Sequence, residues 1–434
     1  MVQPPVTGNG PLDGIRVLEF SQIVAAPTCG YLLADLGADV VKVEPPGGEQ
    51  TRHTAAVVPN EGKGYQALNR GKRSLIVELH DPRGREIIQK ILPTIDVLLI
   101  NYRLGVAERM GIDYDTVRQY RPDIIYWQNT GFGEGGPDAY RAGSDIVAQA
   151  YSGLMALDAK LNDDGAPDLI ASPIADIASG LGAAMAICAA LYHRNLTGEG
   201  QRLSSSLLRS SLMLMNGTVM REPVHDSVVR DPMMAELAAL RESGASYDAL
   251  LAKRKALLLA RASFRLYYGG YKAKNGGVVL GALTRANRDG MRKVLGIYGQ
   301  ELSDEPGYDA HDPANQKKAE EWKRVIRAKF MERTVEEWVH DFDQAKVPVA
   351  PVAWPEDMFD NPQVEADQMI FELEHAVTGP QRVIGPIVTM SKTPTGPHRA
   401  APALGQHTRE VLLERGVPTT EIDSLLQDGV IYQM

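Results

Sequence analysis

The chain has 434 residues, of which 44% are hydrophobic and 23% are charged. These proportions suit a folded protein of about two domains and exclude intrinsic disorder as its main state. Its 46 Lys and Arg residues against 55 Asp and Glu residues give a formal net charge of −9, and no block concentrates either sign, which disfavours a surface for nucleic acid or acidic lipid. The two cysteines, Cys29 and Cys188, lack the spacing of a metal or redox site and are predicted to be small core residues.

Two segments bear on the location of the protein. The opening residues, MVQPPVTGNGPLDG, lack the basic start and apolar core of a signal peptide, so a cytoplasmic location is expected. The longest small and apolar stretch, 177–192, is shorter than the ~20 residues that a membrane-spanning helix needs. We expect this stretch to be a buried helix, and neither a membrane nor a nucleic acid to be a partner.

The first third of the chain alternates strand-like and helix-like segments. The pattern predicts strands at 16–20, 39–44, 74–79, 97–102 and 123–127, with helices at 27–36, 82–92 and 114–120 between them. Such a βα series predicts a doubly wound, Rossmann-like parallel sheet with ligands outside the carboxyl ends of its strands. The loops 21–26, 45–53, 101–105 and 129–143 therefore form the predicted binding rim.

The remainder of the chain predicts a second domain. Residues 176–194 are rich in Ala, Gly and Leu and predict a core helix before an apolar segment at 203–215. Strand signals at 264–268 and 271–274 and the hairpin signal Asn275-Gly276 precede helices at 285–300, 315–331 and 334–345, and a last helix is predicted at 407–415. The predicted organisation is a large α/β domain of 1–215 completed by 390–434, a helical linker or insertion at 216–264, a smaller α+β domain at 265–355, and a return linker at 356–389.

Several familiar kinds of site are disfavoured by the residues themselves. No G-x-G-x-x-G follows the first strand, no G-x-S-x-G is present, and the nine histidines never pair at H-x-x-x-H spacing. Asp176, just before the long apolar helix, is the most interesting acidic residue. Backbone N–H groups at a helix start favour an ionised carboxylate by about 0.3 to 1 kcal/mol, so Asp176 is either a nucleophile at neutral pH or an ordinary helix cap.

A set of motifs spread along nearly the whole chain resembles the family III CoA-transferases, also called the CaiB/BaiF family, which includes formyl-CoA:oxalate and carnitine CoA-transferases. The matching blocks are PLDGIRVLEF at 11–20, Ala26-Pro27, LGADVVKVEPPGG at 36–48, NRGKRS at 69–74, Asn101-Tyr102, RMG at 109–111, the glycines at 131–136, IADIASGL at 174–181 and APALGQHT at 401–408.

This resemblance implies an acyl-CoA co-substrate, a free carboxylic acid and no metal, and it makes Asp176 the catalytic nucleophile. It also implies an interlocked, ring-shaped homodimer. Pro45 stands where some members carry an arginine, so the contacts of the adenine end are open. Ser144 and Asp145 orient groups near the site or only form structural hydrogen bonds. The CoA contacts that it implies are Ile23, Val24, Ala25, Asn101, Tyr102 and Arg109, with Lys72 and Arg73 either added phosphate ligands or a solvated pair before a strand.

The expected reaction transfers CoA through an aspartyl anhydride and an aspartyl-CoA thioester. One alternative is an α-methylacyl-CoA racemase, which moves a proton next to the thioester. Those enzymes carry a histidine where this chain has Ser144, although His53 or His193 could substitute for it. A second alternative is a non-catalytic CoA-ester-binding homologue. The few Phe and Trp residues hint at a small or polar dicarboxylic acid, and the sequence names neither donor nor acceptor.

Overall fold

The structure is a computed structural model that describes residues 3–158, 160–257, 266–298, 304–309 and 312–434. The ends of the strand predicted at 264–268 and of the helix predicted at 285–300 lie partly outside these residues. Two compact units are present, one of residues 1–220 and 361–434 and the other of residues 221–360. The predicted boundary at 215 lies close to the first division, whereas the return to the large unit comes at 361 and not at 390.

The strands are β1 Arg16–Phe20, β2 Asp39–Glu44, β3 Arg73–Val77, β4 Val97–Ile100, β5 Ile125–Thr130, β6 Gln201–Ser206, β7 Tyr268–Lys272, β8 Gly277–Gly281, β9 Val349–Pro351, β10 Ile370–His375, β11 Gly379–Ile384 and β12 Ile431–Tyr432.

The helices are α1 Ala25–Asp35, α2 Lys63–Asn69, α3 Pro82–Ile91, α4 Val106–Met110, α5 Tyr114–Tyr120, α6 Asp145–Ser152, α7 Leu154–Asp158, α8 Ile174–Thr197, α9 Leu207–Leu214, α10 Asn216–Val219, α11 Pro223–His225, α12 Asp231–Glu242, α13 Tyr247–Leu257, α14 Arg285–Leu295, α15 Pro313–Phe330, α16 Val335–Gln344, α17 Pro362–Ala366, α18 Thr408–Glu414 and α19 Thr419–Gln427.

The large unit is built on a sheet with the strand order β12-β3-β2-β1-β4-β5-β6. Strands β1 to β6 pair in parallel, and β12 adds an antiparallel edge beside β3. The order 3-2-1-4-5-6 is that of a doubly wound fold, and its direction reverses between β1 and β4. The predicted α/β class with a large parallel sheet is therefore confirmed.

Both faces of this sheet are covered by helices. On β1, Leu18 and Phe20 belong to one hydrophobic cluster, whereas Val17 belongs to the other. Residues of α3, α5, α18 and α19 join the first cluster, and residues of α1 and α8 join the second. Alternate side chains of a strand point to opposite faces, so this division is what a sheet buried on both sides requires.

Helix α8 packs closely against α1. A Cβ atom added at Gly180 would lie 2.6 Å from the Thr28 Cβ and 2.7 Å from the Ala25 carbonyl oxygen, so only glycine permits this approach. The 24-residue helix has the length and hydropathy of a membrane span, yet half of its apolar window is buried within the fold. That burial agrees with the helix expected from the run of Ala, Gly and Leu.

The smaller unit has its own sheet and core. Strands β7, β8 and β9 form an antiparallel sheet in that order, and the turn between β7 and β8 contains the Asn275-Gly276 signal. The rings of Tyr271 and Phe330 stack with centroids 4.5 Å apart within this core. Helices α11 to α13, predicted as a linker or insertion, belong to this unit.

The segment predicted as a return linker, 356–389, is partly regular structure. Strands β10 and β11 pair as an antiparallel hairpin from Ile370↔Ile384 to His375↔Gly379. Gln3 forms a bridge with Phe371, which ties this hairpin to the amino-terminal residues of the large unit. Residues 361–389, predicted as part of the return linker, therefore belong to the large unit, and four of the six residues of β10 are buried.

Candidate active site

A cavity of about 790 Å³ opens at the carboxyl ends of the parallel strands. It lies where the strand order reverses between β1 and β4, the place where doubly wound sheets bind ligands. Every residue of its wall belongs to the large unit. The wall includes, in chain order, Gln22, Ile23, Val24, Glu44, Pro45, Glu78, His80, Asn101, Tyr102, Arg103, Arg141, Ser144, Asp145 and Asp176.

Asp176 lies in the first turn of α8 and is 9% exposed. Burial raises its pKa to about 7, and the negative charge of Asp145 adds to that rise. The expectation that the helix start holds this carboxylate in its ionised form is therefore wrong. Desolvation and a like charge both favour the protonated form.

The reason is that another carboxylate occupies the N–H groups at the start of α8. Asp145 Oδ1 accepts hydrogen bonds from the backbone N–H groups of Ala175 at 2.9 Å and Asp176 at 3.0 Å. The Gln149 amide donates to the other oxygen of Asp145. Asp145 therefore caps α8 from α6, and the two N–H groups that were expected to favour the charge on Asp176 are already taken.

Two further helices, α1 and α9, also fix the start of α8. The Ser179 hydroxyl donates to the Ala175 carbonyl at 2.8 Å, and it lies 2.7 Å from the hydroxyl of Ser210 on α9. Ala175 also packs in a small cluster with Ala25, at the start of α1, and with Leu207 and one alanine of α6. These contacts give Asp176 a rigid support at the cavity wall.

The loop after β1 forms the part of the wall that lies at the strand reversal. Ile23 and Val24 line the cavity as the resemblance implies, whereas Ala25 is buried at the start of α1 and does not line it. Asn101, after β4, accepts a hydrogen bond from the Gln22 N–H at 3.0 Å and donates to the Gln22 carbonyl at 2.8 Å. Asn101 therefore contacts the loop as well as the cavity.

The residues predicted to contact the nucleotide end of CoA line the cavity only in part. Tyr102 lines the cavity, while Arg109 is exposed on α4 and does not line it. Arg103 and His80 line it instead, and both are exposed. Sequence reasoning missed these two residues, although Arg103 lies in the predicted rim loop 101–105 and His80 directly follows a predicted strand.

Lys72 and Arg73 do not line the cavity. Lys72 is fully buried, where its Nζ donates to Glu19 and Asn69 at 3.0 and 2.8 Å. Arg73 lies at the amino end of β3, where it pairs with Asp39 at 2.6 Å. Both readings offered for this pair, as phosphate ligands and as a solvated pair, are therefore corrected: the two cations are internal ion-pair partners.

Among the described residues, the cavity holds neither a pair of histidines nor a cluster of metal-binding side chains. His80 is the only histidine among the described lining residues. His53 contacts the Gly47 carbonyl at 2.8 Å on an exposed turn, and His193 is exposed near the end of α8. Within the described ranges, no group of three His, Cys, Asp or Glu residues is arranged to hold a metal ion.

The strand order and the cavity define a doubly wound α/β protein whose cavity at the strand reversal carries a buried carboxylate with a raised pKa. Residues 12–408 match the family model described as CoA-transferase family III. The chain therefore belongs to CoA-transferase family III and is a transferase, which confirms the resemblance seen in its motifs.

Relatives and solved structures agree with this assignment. A mouse protein named succinyl-CoA:glutarate CoA-transferase is 32% identical over 427 residues, which cover 98% of this chain and 91% of that protein. A Haloarcula marismortui protein named succinyl-CoA:mesaconate CoA-transferase is 31% identical over 428 residues, covering 94% and 98%. The crystal structure of a CaiB/BaiF family protein from Brucella suis is 26% identical with a TM-score of 0.72, covering 94% of this chain and 100% of that one.

Proposed function

We propose that this chain moves CoA from an acyl-CoA donor to a free carboxylic acid, with Asp176 as the covalent carrier. The observation that carries the proposal is a buried carboxylate in the cavity wall whose pKa is about 7. Raised basicity makes a carboxylate a better nucleophile once it is ionised, and a pKa near 7 keeps a large ionised fraction at neutral pH.

In the first half of the reaction, an oxygen of the Asp176 carboxylate attacks the thioester carbonyl of the donor. The carbon–sulfur bond breaks and CoA leaves as a thiolate, whose conjugate thiol has a pKa of roughly 8.5, so that an acyl-aspartyl anhydride forms. The thiolate then attacks the aspartyl carbonyl. The donor acid leaves as its carboxylate, and CoA is held as an aspartyl thioester.

The second half reverses these steps with a new acid. The acceptor carboxylate attacks the carbonyl of the aspartyl thioester. The carbon–sulfur bond breaks, the CoA thiolate is released, and the acceptor and Asp176 form a second anhydride. Attack of the thiolate on the acceptor carbonyl gives the new acyl-CoA and restores the Asp176 carboxylate. No net proton is consumed, and water must stay out of the cavity because it would hydrolyse either intermediate.

We further propose that donor and acceptor are small dicarboxylic acids and their CoA esters. The named relatives act on succinyl-CoA together with glutarate or mesaconate, by their names. The cavity wall also carries exposed cations, Arg103 and Arg141, among its described residues, and a cation is complementary to an anionic substrate.

The racemase alternative lacks a histidine to act as a base beside Asp176, because His80 is the only histidine among the described lining residues. Ser144 stands where racemases carry a histidine, and a hydroxyl without an activating base accepts a proton poorly. His80 lies beyond the carboxyl end of β3, on the other side of β1 from the β5 end that leads to Ser144. The proposal therefore predicts CoA exchange without exchange of the proton next to the thioester.

The test combines product analysis with trapping. Succinyl-CoA and a panel of donors are mixed with glutarate and other free acids in deuterated water, and products are identified by mass spectrometry. Hydroxylamine converts the aspartyl-CoA thioester into a hydroxamate at Asp176 and releases CoA, and peptide mapping locates the hydroxamate. Asp176→Ala is expected to abolish exchange and trapping while CoA esters still bind, with exposed Asp163→Asn as the matched control.

Three outcomes would contradict this proposal. Solvent deuterium in the acyl group without CoA exchange would favour a racemase. Exchange in the wild type without any label on Asp176 would remove the covalent route. Binding of CoA esters by the wild type without exchange of any acid in the panel would instead indicate a non-catalytic binding protein.

We also propose that the chain works as a homodimer, of the interlocked form that the family resemblance implies. The support is a surface of exposed apolar side chains on α8 and α9, which includes Met185 at 73%, Tyr192 at 67% and Met213 at 70% exposure. Exposed apolar surface of this kind favours association. Light scattering of the wild type should give twice the chain mass, and Met185→Lys should weaken that association.

A further inference from the structure

The turn that follows β1 contains a backbone conformation that its residue does not favour. Ile23 has φ +65°, in the left-handed region where a β-branched side chain crowds the backbone. An L-residue populates that region less than the right-handed one by a factor of about 5 to 30. Such a conformation persists only where its surroundings hold it. Ile23 is 46% exposed and lines the cavity, so this residue is part of the binding wall.

Side chains from other strands fix the two residues before Ile23. The Nζ of Lys42, on β2, donates to the Ser21 carbonyl at 3.1 Å and to the Ser21 hydroxyl at 2.7 Å. Asn101, after β4, holds both backbone groups of the next residue, Gln22. The direction of the chain is therefore set up to residue 22, and the N–H of Ile23 is the next group that needs a partner.

Glu49 is that partner. Its Oε2 accepts a hydrogen bond from the Ile23 N–H at 3.1 Å, and it is 2% exposed. The Thr51 hydroxyl donates to its other oxygen, and the Glu49 N–H donates to Oε2 of Glu44 at 3.2 Å. The carboxylate is thus fixed at both oxygens, and a hydrogen bond to a charged acceptor is about twice as strong as a neutral one.

We propose that Glu49 is a positioning residue that holds Ile23 in the left-handed conformation, so that the Ile23 side chain forms the wall against which the CoA portion of the substrate lies. The inference rests on the proposed function, which makes CoA the occupant of this cavity. Without the carboxylate, the Ile23 N–H loses its buried acceptor and the residue relaxes toward negative φ. The side chain then leaves the wall before substrate arrives.

The first test measures the dissociation constant of free CoA by titration calorimetry. Glu49→Ala is expected to raise that constant about tenfold, because the bound form must be populated from a relaxed loop. Glu49→Gln keeps an acceptor oxygen and should lose less than half of that effect on a logarithmic scale. Glu61→Ala is the matched control, since Glu61 is also a buried carboxylate but bonds to Gln66 and lies beside His375.

The second test separates positioning from a general structural role. Glycine adopts positive φ about as readily as negative φ, so the loop in an Ile23→Gly background has little need of the carboxylate. The effect of Glu49→Ala should fall from about tenfold to about twofold in that background. An equal factor in both backgrounds, or an unchanged dissociation constant for Glu49→Ala alone, overturns the proposal.

Two further readings keep the test decisive. If circular dichroism shows that Glu49→Ala does not fold, Thr51→Ala takes its place, because it removes the hydroxyl that orients the carboxylate. Thr51→Ala should raise the dissociation constant of CoA by about threefold, and by less in the Ile23→Gly background. No rise in that constant overturns the proposal. Failure to label Asp176 in the wild type would contradict the covalent route proposed above, whereas the coupling between residues 49 and 23 is read from CoA affinity alone.

Discussion

Replacing Asp176 by Asn should make the large unit more stable, and the gain should depend on pH. The ordinary pKa of this carboxyl is 3.8 and burial with the Asp145 charge raises it to about 7. At about 1.4 kcal/mol per pH unit, this difference corresponds to roughly 4 kcal/mol of free energy that the folded state loses by holding the ionised form. Asn has nearly the same shape and carries no charge, so the variant avoids that loss.

The sign of the pH dependence follows from linkage. Because the folded pKa lies above the unfolded one, the folded state binds the proton more tightly, and Asp176 costs nothing below about pH 4. The cost grows between pH 4 and 7 and stays level above pH 7. The difference in free energy of unfolding between Asp176→Asn and the wild type should therefore be near zero at pH 4 and reach about 3 to 4 kcal/mol at pH 8.

The assay is native-state hydrogen exchange read by mass spectrometry on peptides from β1 and β4, which reports the large unit alone. Exposed Asp163→Asn serves as the control and should show no difference at any pH. A gain of equal size at pH 5 and pH 8 would refute the reasoning, since it would come from altered contacts and not from a charge. Absence of any gain at pH 8 would refute the raised pKa itself.

Three other predictions concern residues at the start of α8, in its contact with α1 and in the cavity wall. Asp145→Asn keeps an acceptor for the start of α8 but removes the smaller of the two causes that raise the pKa of Asp176. The rise of kcat/KM with pH should therefore move to lower pH by up to about one unit, and a move to higher pH would contradict this prediction. Gly180→Ala puts a methyl group 2.6 Å from a side-chain carbon of α1 and should cost about 2 kcal/mol of unfolding free energy with a loss of kcat, whereas Gly182→Ala, with nothing within 4 Å, should be neutral or stabilising. Arg103→Gln should raise KM for acyl-CoA at least threefold with little change in Tm, and Arg73→Gln should do the reverse because it breaks a buried ion pair.

The fold could be predicted where local sequence and tertiary burial agree. The segment Asp39–Glu44 has the predicted bounds, since apolar residues there fill a central strand and Pro45-Pro46 must end it. Strand β6, Gln201–Ser206, is not predicted as a strand, and its residues 203–206 lie in the segment described as apolar. Its residues are mostly polar because it lies at the edge of the sheet, where one side has no neighbouring strand.

The position of the cavity wall could be predicted from the topology, whereas the buried ion pairs of the large unit could not. Parallel strands bring the loops after β1 and β4 together, so Ile23 and Asn101 were expected at one site. Lys72 and Glu19 are 53 residues apart in the chain yet form a buried pair at 2.9 Å. A lysine before a strand shows the same local sequence whether it faces solvent or an internal glutamate, so the sequence could not separate these cases.

The error over the pKa of Asp176 has the same origin and a larger consequence. A helix start favours whichever carboxylate receives its N–H groups, and the sequence showed only one candidate nearby. The fold brings a second, Asp145, from a different helix, and it takes those hydrogen bonds at 2.9 and 3.0 Å. The same contacts leave Asp176 desolvated and next to a negative charge, which is the environment that raises a pKa. Because Asp145 caps the helix in place of Asp176, it makes Asp176 more basic, and the stability lost at Asp176 follows from the same arrangement that supports its proposed role as the nucleophile.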